Sequence, residues 1–364
     1  MDKSKWVKKT LGDCFDLQMG KTPSRKNLDL WKNGDTPWVS ISDMKDVKFI
    51  SETKELLSSS TIKDCNIPIV PSGTVIMSFK LSIGKTCITA CPLTTNEAVM
   101  AFYPKRGYSF DKTFLYYFLP NLKWKSNRAV KGKTINKKTI SQKEFVLPPL
   151  PEQQGIATEL DAIQKMIDGY KAQLAEFNTL VQSIFLDMFG DPISNSKVWE
   201  TNCFEKLFKL KSGDSLPAKK MVIGPYPVYG GNGKSGNNNA FNKCGEYVLI
   251  GRVGAYCGNV RLVNGKFWLT DNAFELVNKT DKFINRFLLT LLKLLNLGRK
   301  AHKVAQPVIS NVGLKDVKVI VPPLTLQQRF AAQVEAIEEQ KELICQQLAD
   351  AEMLMAERMQ YYFS

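Results

Sequence analysis

Residues 148–154 have the sequence PPLPEQQ, and a close copy of this heptapeptide, PPLTLQQ, stands at residues 322–328. The two copies are 174 positions apart. The same spacing holds downstream, where QLA at residues 173–175 is matched by QLA at residues 347–349. A constant spacing over such a length of chain is not expected by chance, and it indicates an internal duplication.

Each copy of the motif precedes an apolar pattern that is typical of a long helix. The apolar residues are separated by alternating steps of four and three, which is the spacing of a coiled-coil seam. The predicted seam residues are Ile156, Leu160, Ile163, Ile167, Tyr170, Leu174, Phe177, Val181, Ile184 and Met188 in the first helix, and Phe330, Val334, Ile337, Ile344, Leu348 and Met355 in the second. Lys341 and Arg358 interrupt the second seam, and either local polar contacts or an imperfect register would accommodate them.

The flanking residues predict where these helices begin and end. Pro151 suits a first helical turn, and Thr325 with Gln328 can form a capping box at the second helix. Gly190-Asp191-Pro192 ends the first helix. Burial in an ordinary globular core is the alternative explanation for the apolar pattern. The lack of any strand pattern inside either stretch favours the helix pair.

The rest of the chain predicts two modules of mixed α/β structure. Short runs of β-branched and aromatic residues alternate there with Gly and Pro turns. We call residues 1–147 module 1 and residues 191–321 module 2; the predicted helices occupy residues 148–190 and 322–364. Strands are predicted over residues 36–41, 72–77 and 245–250, and further helices over residues 111–122 and 281–297.

The two modules are much less alike in sequence than the two helices. The sequence SIGKTC at residues 82–87 aligns with RVGAYC at 252–257, and residues 96–98 align with residues 271–273. These alignments need offsets of 170 and 175 positions. They therefore predict that loops inside the modules differ in length.

The net charge of +15 comes from 50 Lys and Arg against 35 Asp and Glu, and it is unevenly distributed along the chain. Residues 1–146 and residues 192–320 each carry +12, whereas the helical stretches 147–191 and 321–364 carry −5 and −4. An excess of basic residues on two modules indicates a polyanionic partner, because neutralising phosphates supplies much of the free energy of DNA binding. We therefore expect the modules to bind double-stranded DNA.

The candidate DNA-binding residues lie in turn-like segments that mix basic, polar and small residues. Arg and Lys can pair with guanine, Asn and Gln with adenine, and glycines allow a backbone to approach phosphate. A solvated charged face is the alternative for each segment taken singly. The candidates are Lys21, Ser24, Arg25, Lys26, Lys85, Arg128, Lys131 and Lys133 in module 1, and Lys219, Lys220, Asn232, Lys234, Arg252, Lys300, Lys303 and Gln306 in module 2.

The sequence offers no convincing catalytic, metal or membrane motif. The three Gly-Lys-Ser/Thr triplets lack the second Gly of a phosphate-binding loop, and an acidic pair such as Asp35 and Glu52 is weak support for a nuclease. His302, the one histidine, lies in a basic segment. Both Pro-Pro pairs lack the residues of an S-adenosylmethionine-dependent catalytic loop. Eight scattered cysteines and a longest apolar stretch of 11 residues, 287–297, predict a cytoplasmic protein with no metal site or membrane span.

Two dissimilar basic modules, each followed by a Pro-Pro-Leu…Gln-Gln helix, resemble the specificity subunit of type I restriction–modification enzymes. The resemblance is carried by residues 148–154 and 322–328 with their helices, and by YPVYGGNG at residues 226–233. It extends over essentially the whole chain. One departure is Thr325-Leu326, which stands where the first copy has Pro151-Glu152.

The resemblance implies two α/β target recognition domains, each reading half of a bipartite DNA site. It implies that the two helices pack antiparallel in a pseudo-two-fold molecule and set the spacing between the half-sites. The subunit would have no catalytic activity and bind no cofactor. It would bind two methyltransferase subunits and ATP-dependent restriction subunits, which would hold S-adenosylmethionine, ATP and Mg²⁺. A stand-alone DNA modification or restriction enzyme, or a non-specific DNA-binding coiled-coil adaptor, are the alternatives.

Overall fold

The computed structural model describes residues 3–45, 47–124, 127–129, 132–300 and 307–364, with only the backbone for 127–129, 132–134 and 300. The chain divides into two compact units. One comprises Met1–Gly169 with Leu348–Ser364, and the other comprises Tyr170–Gln347. Both divisions fall inside the long helices, so each unit contains one module and part of each helix.

The first unit contains three sheets around module 1 and one two-stranded ribbon. Its strands are β1 Val7–Thr10, β2 Phe15–Met19, β3 Thr36–Val39, β4 Phe49–Ile50, β5 Glu55–Leu57, β6 Ile69–Val70, β7 Val75–Ser78, β8 Lys80–Leu81, β9 Thr86–Thr89, β10 Leu93–Thr95, β11 Val99–Pro104, β12 Asn127–Ala129, β13 Gly132–Thr134 and β14 Glu144–Leu147. Its helices are α1 Leu11–Cys14, α2 Ser59–Asp64, α3 Lys112–Asn121, α4 Lys137–Ser141 and the first half of α5 Leu150–Phe189. The sheet orders are β2-β11-β7-β9-β4, β5-β3-β10-β6, β12-β13-β8 and β1-β14.

The second unit has a similar but smaller set of elements. Its strands are β15 Thr201–Cys203, β16 Phe208–Ser212, β17 Tyr226–Gly230, β18 Gly233–Asn238, β19 Lys243–Cys244, β20 Tyr247–Gly251, β21 Val260–Val263, β22 Lys266–Leu269, β23 Ala273–Asn278 and β24 Lys318–Ile320. Its helices are α6 Phe204–Leu207, α7 Asn285–Leu294, α8 Asn311–Leu314 and the first part of α9 Leu324–Phe363. The sheet orders are β16-β23-β20-β21, β18-β17-β22-β19 and β15-β24.

The predicted elements of the modules are present with shifted ends. The three predicted strands correspond to β3, β7 and β20, and the two predicted helices to α3 and α7. Asp111 caps α3 by accepting a hydrogen bond from the Phe114 amide at 2.8 Å. Helix α7 begins only at Asn285, four residues after the predicted start.

The modules share one backbone hydrogen-bond pattern, and this corrects the alignment made from sequence. The amide of Asn96 donates to the carbonyl of Val39, and the amide of Thr270 donates to the carbonyl of Tyr229, both at 2.9 Å. Asn96 and Thr270 are 174 positions apart, as are the residues of the helices. The offset of 175 predicted for this segment is therefore wrong by one residue.

The loop that follows β7 in module 1 and β20 in module 2 requires a larger correction. The Gly84 amide donates to the Ser78 carbonyl at 2.9 Å, and the Gly258 amide donates to the Gly251 carbonyl at the same distance. Gly84 and Gly258 both have positive φ, +90° and +88°. Gly84 therefore corresponds to Gly258, and the predicted offset of 170 is wrong, because short Gly-containing runs align equally well at several registers.

The long helices begin at the double prolines. The amides of Gln153 and Gln327 donate to the carbonyls of Pro149 and Pro323, respectively, which are the first bonds of α5 and α9. Pro151 lies in the first turn, as predicted. The capping box predicted at Thr325 is wrong, because α9 begins at Leu324 and Thr325 is already helical. Pro323, whose carbonyl accepts the first helical bond, stands in the position before the helix that Thr325 was expected to take.

The first glutamine of each Gln-Gln pair ties its long helix to the adjacent module. Gln153 is only 1% exposed; its side chain accepts from the Asp111 amide at 3.0 Å and donates to the Pro148 carbonyl at 2.9 Å. Gln327 is 0% exposed and repeats both bonds, with the Ile284 amide at 3.0 Å and the Pro322 carbonyl at 2.9 Å. Asp111 and Ile284 are the N-cap residues of α3 and α7. Each buried amide therefore joins the start of a long helix to the start of a module helix.

The predicted seam of α5 is buried most deeply at its start. Ile156, Leu160, Ile163 and Ile167 are buried, whereas Tyr170, Leu174, Phe177 and Val181 are half-buried. Near the end of the helix, Phe185 and Phe189 are fully buried, while the predicted seam residues Ile184 and Met188 are only half-buried. The apolar face has thus rotated by one residue in the last two turns.

The predicted seam of α9 is in contact with α5 inside each unit. In the second unit the rings of Phe185 and Phe330 pack at 5.5 Å between centroids. Phe330 and Val334 are buried, and Ile337, Ile344, Leu348 and Met355 are half-buried. In the first unit Tyr362, near the end of α9, donates to Glu159, near the start of α5. The helices are therefore antiparallel in both units.

Both charged interruptions of the α9 seam make polar contacts with α5. Lys341 donates to the Asn178 side chain at 3.1 Å and to Glu338 at 3.0 Å. Arg358 lies 2.8 Å from a carboxylate oxygen of Glu159. Of the two alternatives left open by the sequence, local polar contact is the one observed.

Removing either buried glutamine side chain should destabilise the adjacent module. We expect Gln153→Ala to lower the free energy of unfolding by about 2 kcal/mol, because two backbone groups lose a buried partner. Gln327→Ala should cost more, because Gln327 also donates to the Lys282 carbonyl at 2.8 Å. Urea unfolding followed by circular dichroism measures both changes.

The second glutamine of each pair supplies a matched control. Gln154 and Gln328 stand on the same helices, and both are exposed. Their alanine variants should unfold within about 0.5 kcal/mol of the unsubstituted chain. Equal losses at the buried and the exposed glutamines would contradict the role given to the buried ones.

Candidate DNA interface

The first basic segment of module 1, residues 21–27, leaves the end of β2 and is tied to β10 and β3. The Lys21 amide donates to the Thr95 carbonyl at 2.8 Å, and the indole of Trp38 donates to the Lys21 carbonyl at 3.1 Å. The Lys21 ammonium group donates to the Cys65 carbonyl at 2.5 Å. Ser24 and Lys26 are exposed. The start of this segment is thus held, while its middle faces solvent.

Arg25 is the most constrained of the predicted DNA-binding residues. Its guanidinium group lies 3.7 Å from the centre of the Trp31 ring and 4.9 Å from that of Trp38. Both of its terminal nitrogens bind the Glu55 carboxylate, one of them at 2.8 Å. The hydrogen bonds that Arg25 donates to the Glu55 carboxylate raise the pKa of Arg25 above its usual value. Stacking and the paired hydrogen bonds hold the guanidinium in one orientation.

Glu97 connects this segment with the second basic segment of module 1. Burial raises the pKa of Glu97, but the hydrogen bond from Thr22 and the charges of Lys80 and Arg25 outweigh burial and lower the pKa. Lys80 lies in β8, which pairs with β13. Thr22 of the basic segment 21–27 and Lys80, on the strand paired with the hairpin β12–β13, therefore both act on the Glu97 carboxylate. The structure brings together two segments that the sequence placed a hundred residues apart.

The glycine-rich turn of module 2, residues 230–233, packs against the loop that begins at Arg252. A Cβ atom on Gly231 would lie 2.8 Å from the Asn272 carbonyl oxygen and 2.9 Å from that of Val253. Asn232 is exposed at the tip of the turn, and its carbonyl accepts from Arg261 at 3.1 Å. The close approach of three backbones explains why this turn requires glycine.

Arg252 is hydrogen-bonded to two neighbouring stretches of module 2. Its guanidinium group donates to the Asp271 carbonyl at 3.2 Å, and its own carbonyl accepts from the Ile309 amide at 2.9 Å. The Gly254 amide donates to the Pro307 carbonyl at 3.1 Å. Part of the hydrogen-bonding capacity of Arg252 is therefore used within the protein. The chain just after the basic segment 299–306 runs beside it.

The remaining predicted residues divide into exposed and undescribed ones. Lys85, Lys219, Lys220 and Lys234 are exposed, and Lys219 and Lys220 lie on a short 3-10 helix, Ala218–Lys220. The side chains of Arg128, Lys133 and Lys300, and the residues Lys131, His302, Lys303 and Gln306, lie outside the part of the structure that is described. Whether any candidate touches a base or a phosphate stays a prediction.

Several large apolar side chains that the sequence did not single out are exposed on these same loops. They include Leu28 beside the basic segment of module 1 and Ile223 beside Lys219 and Lys220. Leu81 and Tyr256 are exposed on the loops that follow β7 and β20. A bulky apolar residue inside a Gly- and Lys-rich turn was the available signal, because such turns have no core in which to bury it.

Three features of the described residues bear on other classes of protein. Within the described ranges, no three His, Cys, Asp or Glu residues are grouped closely enough to hold a metal ion. Among the helices of the described chain, none is both long and apolar enough to cross a membrane. The described residues include all eight cysteines, and each is a free thiol.

Comparison with known proteins assigns the family. Residues 3–178 and 196–353 match the family model for the type I restriction modification DNA specificity domain, once for each copy of the duplication. The chain belongs to this family. The type I restriction enzyme EcoprrI specificity subunit of Escherichia coli is 26% identical over 344 residues, covering 88% of this chain and 85% of the relative.

Two solved structures are similar in fold to this chain. One is the type I restriction-modification S subunit from M. genitalium, with a TM-score of 0.60 and 15% identity over 99% of this chain and 96% of that chain. The other comes from work on complex assembly and conformational transition of the type I R-M system, with a TM-score of 0.57 and 19% identity over 98% and 96%. The predicted combination of α/β modules and long helices is thus confirmed.

The glycine-rich turn of module 2 gives a test of the interface geometry. We expect Gly231→Ala to destabilise module 2 by about 2 kcal/mol, because the new methyl group would press on two backbone carbonyls. DNA binding should weaken with it. Gly236→Ala is the control, since its Cβ would meet only the flexible Met221 side chain at 3.7 Å. Thermal unfolding and DNA titration of both variants measure the difference; similar behaviour would contradict the packing described.

Proposed function

We propose that this chain is the DNA-recognition subunit of a type I restriction–modification complex, in which each module reads one half of a bipartite, asymmetric DNA sequence. One observation carries the proposal. The two modules keep the same backbone hydrogen bonds, as at Asn96 and Thr270, yet differ in the loops that project from them. Two copies of one scaffold with different loops are suited to binding two different half-sites.

The distribution of charge supports this division of roles. Residues 1–146 and residues 192–320 each carry +12, whereas both helical stretches, 147–191 and 321–364, are acidic. Basic residues near phosphates supply affinity and position, and contacts to base edges supply specificity. The acidic helices are unsuited to DNA and remain available to protein partners.

The partners follow from the family. In this proposal the long helices bind two methyltransferase subunits, and restriction subunits join the complex. S-adenosylmethionine, ATP and Mg²⁺ are held by those partners, and this chain binds no cofactor and catalyses no step. The complex works in the cytoplasm. The relatives are specificity subunits, and this agrees with a recognition role rather than a catalytic one.

Exchange of one module is the direct test. Replacing residues 1–146 by the corresponding segment of a relative should change one half of the methylated sequence and leave the other half as it was. The sequence is read by mapping methylated adenines in cells that contain the chain and its methyltransferase subunits. A change in both halves would overturn the proposal. Methylation or cleavage by the purified chain alone would favour a stand-alone enzyme, and binding without a preferred site a non-specific adaptor.

The length of the helices tests the proposed spacer. Inserting one heptad after residue 173 and one after residue 347 lengthens each helix by about 10 Å. We expect more unread base pairs between two unchanged half-sites, because the heptad keeps the seam in register. A two-residue insertion at the same points breaks that register and serves as the control. An unchanged spacing in the heptad variant would refute the role of the helices as a spacer.

A further inference from the structure

One loop occupies the same position in both modules. It runs over Phe79–Gly84 after β7 in module 1, and over Arg252–Gly258 after β20 in module 2; we call these the paired loops. The carbonyl of Phe79 accepts from the Ile135 amide at 3.1 Å, and that of Arg252 from the Ile309 amide at 2.9 Å. Ile135 and Ile309 are 174 positions apart. The two loops are therefore equivalent, although their sequences differ.

Each paired loop contacts chain that belongs to, or directly follows, basic segments of its module. In module 1 it contains β8, which pairs with the hairpin β12–β13, and its Lys80 lies close to Glu97. In module 2 it packs against the turn 230–233 and pairs with Val308 through Val253. If the basic segments bind DNA as proposed, the paired loops are part of each interface.

Each paired loop also exposes one large side chain with an apolar body. Leu81 is 58% exposed and Tyr256 is 52% exposed. Cationic neighbours attract phosphate whatever the sequence, so they cannot by themselves distinguish bases. An apolar or aromatic side chain among them can contact a thymine methyl group or enter a base step.

The backbone at Leu81 indicates that this side chain is there for a reason other than folding. Its φ of +61° lies in the left-handed region, and the Ser82 amide donates to the Lys80 carbonyl at 2.8 Å across it. This three-residue turn with positive φ is rare and strained for a bulky residue. Module 2 has Gly254 at the equivalent place, with φ of +87°. Glycine would relieve the strain, and yet module 1 carries an exposed leucine.

We propose that Leu81 and Tyr256 are specificity-determining residues, each contacting base pairs in the half-site read by its own module. This inference rests on the proposed function. The two side chains do not act on phosphates and supply discrimination between bases. Because each belongs to a different module, each affects one half-site only.

The test uses the complex of this chain with its methyltransferase subunits. Its affinity is measured at one salt concentration for duplex libraries in which one half-site is randomised at a time. Leu81→Ala should weaken binding to the preferred sequence about tenfold and relax the base preference in the half-site of module 1. Tyr256→Ala should do the same in the other half-site. Binding to unrelated DNA and its salt dependence should not change, since no cation is lost.

The controls separate a base contact from a structural effect. Ile69→Ala removes another exposed aliphatic side chain of module 1, 53% exposed on β6, and should bind like the unsubstituted chain. Leu81→Gly should bind DNA as weakly as Leu81→Ala but melt about 2 °C higher than Leu81→Ala, because glycine accepts the positive φ. If DNA affinity rose and fell with the melting temperature across these variants, the inference would be overturned.

The remaining outcomes are equally decisive. Unchanged base preferences in both Leu81→Ala and Tyr256→Ala would overturn the inference, and so would changes in the half-site of the opposite module. Both results would leave the proposed function standing, provided that the unsubstituted complex selects a sequence. An unsubstituted complex with no preferred sequence would instead overturn the proposed function itself.

Discussion

The hydrogen bonds of two buried side-chain amides, those of Gln153 and Gln327, are the constraint on which the rest of each unit depends. A helix of 40 residues has its own internal bonds and could leave the module at many angles. The glutamine removes that freedom, because one amide group binds both the proline carbonyl before the long helix and the N-cap amide of the module helix. Both partners are backbone groups, so the joint does not depend on which side chains surround it. This explains how modules of different sequence can follow the same joint.

Much of the architecture could be predicted because its signals are periodic or repeated. The seam residues from Ile156 to Ile167 repeat with the helical period and are all buried, and the copied PPL…QQ motif placed both helix starts within a few residues. The prediction failed at the first turn of α9, which begins earlier than the threonine indicated. Thr325 was expected to cap α9, but a proline carbonyl already accepts the first helical bond. A sequence pattern shows which side chains are available, whereas the bond to the proline carbonyl involves backbone groups only.

The candidate interface could be predicted only in part. Local composition located the basic segments, but it could not reveal that Arg25 packs on Trp31 and Trp38 and binds Glu55, because these partners lie outside the basic segment. The sequence was equally insufficient to align the residues of module 1 with those of module 2. Gly84 corresponds to Gly258 by hydrogen bonding, whereas sequence similarity paired it with Gly254. Long-range contacts and backbone geometry are the information that a single sequence does not contain.

The indole groups at the base of the first long loop of each module have a consequence for how such proteins diverge. In module 1, Trp38 on β3 donates to the Lys21 carbonyl; in module 2, Trp268 donates to the equivalent Asp214 carbonyl at 3.2 Å, but from β22, the partner strand. Trp38 pairs with Thr94 in module 1, and Val228 pairs with Trp268 in module 2, so Trp268 occupies the position of Thr94 and not that of Trp38. The indole donor therefore lies on the other strand of the pair, while the carbonyl that accepts its bond is the equivalent one. Either strand of the pair can therefore supply the indole that holds this backbone carbonyl. The loops above it can diverge in sequence and length while the same carbonyl stays in place.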